Sequence, residues 1–223
     1  MNPREFSHRR LPGLVAWMDG FNQRHPWSHN DHFHPWIVRH LPERRHLALD
    51  VGCGRGKLLE TLAAHFDGVV GTDRDAQMRA AAGRRVSRHP NASITADQLA
   101  DLRGGFDLIT MIAVLHHLEV ESALVEARRL LAPRGRLMVV GLARPETRLD
   151  WAWDAGCLVT NPLIGVLKHP KAAPSTSDAP TYPTVEPTQT YGEMRGLVTR
   201  HLPGARLRRR EGFRYLATWT RPA

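Results

Sequence analysis

An acid followed by three alternating glycines is the stretch of this chain best suited to binding a ligand. Asp50, Gly52, Gly54 and Gly56 lie between an apolar segment and a segment with helical spacing, which predicts a strand, a tight turn and a helix. Glycines carry no Cβ atom, so a ligand can approach the main chain of the turn closely. Amide donors at the turn and at the helix start favour an anionic group, whereas the carboxylate of Asp50 favours a cationic one. The stretch therefore predicts a site for a zwitterion.

The spacing of the glycines argues against two common nucleotide-binding motifs. A dinucleotide fingerprint requires G-x-G-x-x-G, and Lys57 occupies the place of its third glycine. A Walker A loop requires Ser or Thr after Gly-Lys, and Leu58 stands there instead. We therefore expect neither a dinucleotide nor a nucleoside triphosphate at this turn.

Two further acids each follow a predicted strand. Asp73 lies about 20 residues after the glycine turn, where a carboxylate can accept hydrogen bonds from both hydroxyls of a ribose. The alternative for Asp73 is a role in capping the next helix. Asp97, followed by Gln98, comes after the next strand, and its alternative is an ordinary loop acid.

Histidines concentrate in two places. His116 and His117 follow the predicted strand 106–112, and an imidazole titrates close enough to neutral pH to act as a base. The alternative is that they hold their loop by hydrogen bonds. Residues 25–36 carry His29, His32 and His34, whose spacing matches no standard metal site, so we predict no metal. We interpret this segment as a cover over the ligand that also contacts the substrate.

Apolar periodicity predicts a regular alternation of strands and helices around these residues. The run over residues 106–112 is largely apolar, which is typical of a parallel strand buried on both faces. We predict an α/β fold, a Rossmann-like, doubly wound, mostly parallel seven-stranded sheet with an antiparallel closing strand. A helical lid precedes the sheet, and a helical insertion precedes its last strands. The predicted strands span residues 47–51, 68–73, 92–96, 106–112, 136–141, 205–210 and 215–220, with helices over 75–86, 120–132 and 191–201.

Composition restricts the setting in which the protein works. The 223-residue chain has a net charge of +9, but its arginines are scattered, so nucleic acid is a disfavoured partner that stays open as an alternative. Two cysteines, Cys53 and Cys157, fit a reducing compartment. The sequence shows neither a membrane-spanning run nor a signal-peptide pattern. These features predict a cytoplasmic protein.

Residues 50–56, with the sequence D-V-G-C-G-R-G, resemble the first motif of the class I S-adenosylmethionine (SAM)-dependent methyltransferases, D-x-G-x-G-x-G. The acids Asp73 and Asp97 and the V-L-H-H run at 114–117 are also similar to that family, so the resemblance covers residues 45–143. The resemblance implies SAM as the cofactor and S-adenosylhomocysteine as the product. The N-P-P-Y loop that many nucleic-acid and protein amine methylases carry is absent, which counts against a base-amine substrate.

The resemblance also implies roles for individual residues. Asp97 would accept a hydrogen bond from the adenine amine, and Ala96 and Gln98 would flank the ring. His117 and His116 would lie beside the transferable methyl group as candidate catalytic residues. The full set of predicted cofactor contacts is Asp50, Gly52, Gly54, Gly56, Asp73, Arg74, Ala96, Asp97, Gln98 and Ile112. The predicted substrate contacts are His29, His32, Trp36 and Trp151.

We therefore predict transfer of a methyl group from SAM to a nucleophile, most readily oxygen or nitrogen, on a small molecule. Two alternatives stay open: an RNA or protein methyltransferase, and a SAM-binding module without transfer activity. The predicted segments are 1–44 (lid and substrate segment), 45–143 (SAM-binding core), 144–190 (substrate-recognition insertion and Pro-rich loop) and 191–223 (final helix and closing hairpin).

Overall fold

A computed structural model describes residues 30–148, 150, 152–153, 156–157, 186–210 and 214–223. The chain divides into two compact units. One comprises residues 30–144, 185–210 and 214–223 and contains every described strand; the other comprises residues 1–29, 145–184 and 211–213. Most of the predicted lid over 1–44 and of the predicted insertion over 144–190 lies outside the described residues.

The strands form one seven-stranded sheet in the order β3-β2-β1-β4-β5-β7-β6. The first five strands run parallel to one another, and β7 pairs antiparallel with both β5 and β6. This topology confirms the predicted mostly parallel sheet with an antiparallel closing strand. The strands are β1 (Leu47–Val51), β2 (Gly68–Thr72), β3 (Ala92–Thr95), β4 (Phe106–Ile112), β5 (Leu131–Leu142), β6 (Arg206–Arg210) and β7 (Arg214–Thr220).

Local hydrogen bonds explain where the helices begin. The Asp75 carboxylate accepts from the amides of Gln77 and Met78, and Thr190 and Glu193 form a reciprocal capping box. The α-helices of the described residues are α1 (His34–Arg39), α2 (Lys57–Ala63), α3 (Ala76–Val86), α4 (Val120–Leu130) and α5 (Tyr191–His201). Short 3-10 helices occupy Asp31–Phe33, Leu99–Asp101 and Leu115–His117. Within the described ranges, each helix is too short or too polar to cross a membrane.

The fourth helix and the fifth strand differ from their predicted bounds. Helix α4 ends at Leu130 and β5 begins at Leu131, although the sequence predicts a helix to residue 132 and a strand from 136. The early part of β5 is irregular, since Arg134 has a left-handed φ of 63° and the register with β4 shifts after Phe106. The main chain of Arg134 bonds to Arg221 near the C-terminus, a long-range contact that periodicity does not reveal.

Alternate positions of the central strands bury their side chains in two layers, as a doubly wound sheet requires. On one face, Leu49, Ile109 and Val139 pack against α4 and α5. On the other face, Ala48, Leu108 and Met138 pack against α1, α2 and α3.

A buried carboxylate at the amino ends of the central strands joins β4 to the start of β1. Asp107 accepts hydrogen bonds from the Arg44 Nε at 2.5 Å, the His46 amide at 2.8 Å and the Leu47 amide at 3.3 Å. Asp107 is 1% exposed, so water cannot replace these bonds. The contacts fix the register at which β1 enters the sheet.

We expect Asp107→Ala to lower the free energy of unfolding by about 1–3 kcal/mol, because it leaves the partly buried amides of His46 and Leu47 without their acceptor. Urea unfolding followed by circular dichroism measures the change. Asp67→Ala is the matched control, since Asp67 also contacts His46 but is exposed, and its removal should cost less than about 0.5 kcal/mol. Equal losses in the two variants would contradict this role for Asp107.

Candidate cofactor and active site

Three groups of predicted site residues lie at the carboxyl edge of the sheet. Strand β1 pairs with β2 on one side and with β4 on the other, so the chain order reverses at this point. Open α/β sheets bind ligands at such a switch point, outside the carboxyl ends of the strands. The glycine turn follows β1, Asp73 follows β2, and the histidine pair follows β4.

The glycine turn is held between β2 and the loop after β4. The amides of Gly52 and Cys53 both donate to the carbonyl oxygen of Thr72, at 2.7 and 3.0 Å. Gly52 has a φ of +66°, and a Cβ atom there would lie 2.5 Å from a methyl carbon of Val114. Only glycine satisfies both the conformation and the contact at this position.

The third glycine has a packing role. Gly56 has a φ of +75°, and a Cβ atom there would lie 3.0 Å from the Cα of Ala82 in α3. Its absent side chain therefore lets α3 approach the start of α2. Cys53 is also a packing residue: its sulfur fills the space over Gly71, and burial raises the pKa of its thiol, which keeps it uncharged.

The predicted anion site in the glycine turn needs a correction. The amide of Gly54 donates to Asp73 and that of Gly56 donates to the Cys53 carbonyl, while Gly52 and Cys53 donate to Thr72. These four amides donate within the protein, which leaves the amides at the start of α2 as the predicted donors for an anionic group.

Asp50 is a buried carboxylate suited to a cationic partner. It is 3% exposed, and its Oδ1 accepts a 2.7 Å hydrogen bond from the Thr110 hydroxyl. Burial raises the pKa of Asp50 to about 7. The salt bridges of the described residues include none to Asp50. A ligand ammonium would supply the missing positive charge, so Asp50 fits the zwitterion that the sequence predicts.

Asp73 is held in place by two backbone amides. Its Oδ2 accepts from the Gly54 amide and its Oδ1 from the Asp75 amide, both at 2.9 Å. Because the side chain of Asp75 caps helix α3, the capping alternative for Asp73 is not needed. Each carboxylate oxygen has a second lone pair, so Asp73 can accept from a ribose while it holds the turn.

The residues after β3 are exposed at the same edge. Ala96, Asp97 and Gln98 all present exposed side chains. The buried Thr72 hydroxyl donates to the Asp97 carbonyl at 3.0 Å, which ties this loop to the end of β2. The predicted adenine contacts of the three residues stay predictions.

The loop after β4 contains strained backbone and two adjacent imidazoles. Ala113 has a left-handed φ of 51°, and its amide donates to the Val140 carbonyl at 2.7 Å. Such strain at a non-glycine residue is typical of functional sites. The turn leads into the 3-10 helix that carries His116 and His117, whose ring centroids are 4.1 Å apart.

The surroundings of both histidines favour the neutral imidazole, because they lower the pKa of each ring. Burial lowers the pKa of His116 to about 4, with further lowering by His117 and the charge of Arg214. Burial and the charge of Arg74 lower the pKa of His117. The Nδ1 atom of His116 is buried and has no hydrogen-bond partner in the described part of the chain. A buried polar atom of this kind is satisfied when a ligand donates to it or accepts from it.

The predicted substrate contacts are only partly described. His32 is half-buried with its ring edge-on to Phe33, and Trp36 packs against the core beneath α1. His29 and Trp151 lie outside the described residues. In the described ranges, no group of three or more His, Cys, Asp or Glu side chains could hold a metal ion.

Sequence reasoning missed three residues that shape the site. Thr110 is the hydroxyl that bonds Asp50, and its sequence signal is a polar residue inside the apolar run of β4. Val114 packs on the glycine turn, and Arg214 acts on His116 from β7. The packing of Val114 on the turn depends on distant parts of the chain, although Val114 begins the V-L-H-H run that the sequence shows. The sequence carries no signal for the effect of Arg214 on His116.

The raised pKa of Asp50 predicts a pH-dependent cost in stability. The unfolded carboxyl titrates near 3.8 and the folded one near 7, so stability without ligand falls as pH rises between these values. We expect Asp50→Asn to unfold at a higher temperature than the native chain at pH 8, by the equivalent of about 2–4 kcal/mol, and to match it near pH 4. Calorimetric melting over pH 4–8 checks this, and a constant difference between the two proteins would contradict it.

Comparisons with known proteins agree with this geometry. A family model described as a methyltransferase domain matches residues 49–137. An uncharacterized methyltransferase of Mycobacterium tuberculosis is 35% identical over 204 residues, which cover 88% of this chain and 98% of that protein. A ubiquinone biosynthesis O-methyltransferase of Pseudomonas aeruginosa is 32% identical over 120 residues, covering 49% of this chain and 52% of that protein.

The fold also resembles solved methyltransferase structures. Magnesium protoporphyrin IX methyltransferase from Synechocystis PCC 6803, solved with bound S-adenosylhomocysteine, superposes with a TM-score of 0.56 at 19% identity, covering 96% of this chain and 97% of that one. The mycobacterial relative is matched over nearly its whole length. The chain therefore belongs to the class I SAM-dependent methyltransferases and is an enzyme that uses SAM.

Proposed function

We propose that this methyltransferase transfers the methyl group of SAM to an oxygen or nitrogen atom of a small molecule bound over the carboxyl ends of β4 and β5. The observation that carries the proposal is the contact between the loop after β4 and the glycine turn. Val114 packs directly on Gly52, and His116 and His117 follow two and three residues later. A nucleophile that reaches the imidazoles is therefore next to the cofactor.

Each of the three acids would bind a different part of the cofactor. The buried Asp50 carboxylate would bind the ammonium, and Asp73 would accept hydrogen bonds from the ribose hydroxyls. Asp97 would accept from the adenine amine. The remaining predicted cofactor contacts are Gly52, Gly54, Gly56, Arg74, Ala96, Gln98 and Ile112.

The chain's own contribution to the reaction is mainly alignment. When bound, SAM supplies a methyl group already activated by a sulfonium. The protein must hold the nucleophile in line with that methyl group, and such positioning contributes about 7–11 kcal/mol in favourable cases. The turn between β2 and the loop after β4 supports this task, since its amides bond to the Thr72 carbonyl and Val114 packs on Gly52.

The two histidines suit different tasks. A general base works best when its pKa lies near the working pH. The pKa of His116 is about 4, so this imidazole accepts a proton only weakly and suits a hydrogen bond that orients the substrate. The pKa of His117 is lowered less strongly. His117 is therefore the better candidate for taking a proton from a hydroxyl or amine.

Related proteins support a small-molecule acceptor. The Pseudomonas relative is named for ubiquinone biosynthesis, and the Synechocystis structure is of an enzyme named for magnesium protoporphyrin IX. Both names refer to small organic molecules. We propose the same class of acceptor for this chain. We do not propose either of those two compounds as its substrate.

We expect Asp73→Ala to weaken SAM binding by roughly 10–150-fold, because the ribose loses a charge-assisted hydrogen-bond partner worth about 1.5–3 kcal/mol. Isothermal calorimetry with SAM and S-adenosylhomocysteine measures the loss. Asp73→Asn should lose less SAM affinity, since its amide oxygen still accepts one hydrogen bond from the ribose. Unchanged affinity in a folded Asp73→Ala protein would rule out the ribose role.

We expect His117→Ala to lower kcat by about 100-fold or more at pH 7 without changing SAM affinity, since a general base contributes about 100–10,000-fold. His116→Ala should raise KM for the acceptor more than it lowers kcat, because its role is orientation. Steady-state assays of S-adenosylhomocysteine release separate the two effects. Full turnover by His117→Ala would show that the acceptor needs no base from this residue.

A further inference from the structure

A buried phenol near the carboxyl edge of the sheet has a polar atom that the fold does not use. Tyr215, in β7, is 2% exposed and packs in the core on the side of the sheet that α4 and α5 cover. Its hydroxyl is buried and has no hydrogen-bond partner in the described part of the chain. Burial raises the pKa of this hydroxyl above its usual range, so it keeps its proton and can donate a hydrogen bond.

The phenol ring lies across the neighbouring strand. Tyr215 pairs with Gly141 of β5, and a Cβ atom on Gly141 would lie 2.2 Å from the Cζ and 2.3 Å from the hydroxyl oxygen of Tyr215. The outer end of the ring therefore rests on the main chain of Gly141. Because β4 is the other neighbour of β5 and Ile112 pairs with Val140, the next residue of that chain, Ala113, stands level with Gly141. The hydroxyl thus lies over β5, between β7 and the loop after β4.

Packing alone does not account for this hydroxyl. A phenylalanine at position 215 would place the same ring over Gly141 and would leave no polar atom without a partner. Burying a hydroxyl without a hydrogen bond costs free energy that the rest of the fold must offset. Such a group beside a functional site is accounted for when a ligand supplies the missing partner.

The ring next to Tyr215 is less confined than Tyr215 itself. Tyr191, the first residue of α5, meets the Tyr215 ring edge-on with the ring centroids 6.2 Å apart, and it is only partly buried. Ala143, which follows β5, and Val114, which follows β4, are also partly buried apolar residues. The apolar side chains at this end of the sheet can therefore shift without disturbing the strands.

We propose that the Tyr215 hydroxyl donates a hydrogen bond to an oxygen atom of the methyl acceptor and so positions the acceptor over the carboxyl ends of β4 and β5. The inference rests on the proposed small-molecule function and adds a residue that determines which acceptors fit. The Tyr191 side chain moves aside to admit the acceptor. The oxygen that binds Tyr215 is not the methylated atom, because a hydrogen bond donated to the nucleophile would weaken its attack. A site built to bind a substrate oxygen discriminates against analogues that lack it, since they leave a buried polar group unpaired.

The first measurement is the melting temperature of the full chain without acceptor. We expect Tyr215→Phe to melt about 2–10 °C higher than the native chain, because it removes a buried hydroxyl that has no partner. Tyr191→Phe is the matched control: it removes the same atom from the adjacent, partly exposed ring and should shift melting by less than about 2 °C. Calorimetry measures both. An unchanged or lower melting temperature of Tyr215→Phe would show that the hydroxyl is satisfied within the protein, and would overturn the inference.

The second measurement is methyl transfer from labelled SAM to a metabolite extract freed of protein and nucleic acid. We expect Tyr215→Phe to lower product formation about tenfold when the extract is limiting, and to recover part of the loss at high extract concentration. SAM affinity, measured by calorimetry, should be unchanged, and Tyr191→Phe should keep most of the native rate. A merely structural role for the hydroxyl would not make Tyr215→Phe more stable and less active at once.

The outcomes separate the inference from the proposed function. Native product formation by Tyr215→Phe, or equal losses in Tyr215→Phe and Tyr191→Phe, would overturn the role of Tyr215 and leave the proposed function standing. Absence of labelled product with the native chain, while SAM binding is intact, would overturn the small-molecule function and the inference together.

Discussion

Two amides that donate to one carbonyl oxygen hold the candidate cofactor site together. The Thr72 carbonyl, at the end of β2, accepts from both Gly52 and Cys53 and so fixes the turn that follows β1. The side chain of the next residue, Asp73, accepts a hydrogen bond from the Gly54 amide and so adds a second link between the end of β2 and the turn. Val114 then rests on Gly52, so the loop that carries the histidines takes its position from the turn. A change in the pairing of β1 with β2 would displace every group that we assign to the cofactor.

Two buried aspartates on neighbouring strands show how stability and function are separated. Asp107, at the amino end of β4, accepts three hydrogen bonds and stabilises the sheet. Asp50, near the carboxyl end of β1, accepts a side-chain hydrogen bond from the Thr110 hydroxyl, and burial raises the pKa of Asp50 to about 7. The strained Ala113 lies at the same edge as Asp50. The buried Asp50 carboxyl and the strained backbone of Ala113 are both unfavourable without a ligand. Both lie where a bound ligand can offset their cost, as is typical of functional sites.

Several features of the fold follow from local sequence alone. The bounds of α5 are predictable because Thr190 and Glu193 form a capping box just before an amphipathic run. The positions of Asp50, Asp73 and Asp97 at strand ends follow from the alternation of apolar runs and polar turns. The end of α4 and the start of β5 are not predictable in this way, since Arg134 there bonds to Arg221, which is distant in sequence.

The sequence by itself determined the order of strands and helices, the three acids and the glycine turn, because these depend on neighbours within a few residues. The tertiary structure alone decided which groups meet. It paired the amides of Gly52, Cys53 and Gly54 with Thr72 and Asp73, and it placed Arg214 where its charge lowers the pKa of His116, about a hundred residues away. The reason is physical: hydrogen-bond partners and electrostatic fields are set by distance in space, and sheet pairing brings together residues whose separation along the chain gives no warning of the contact.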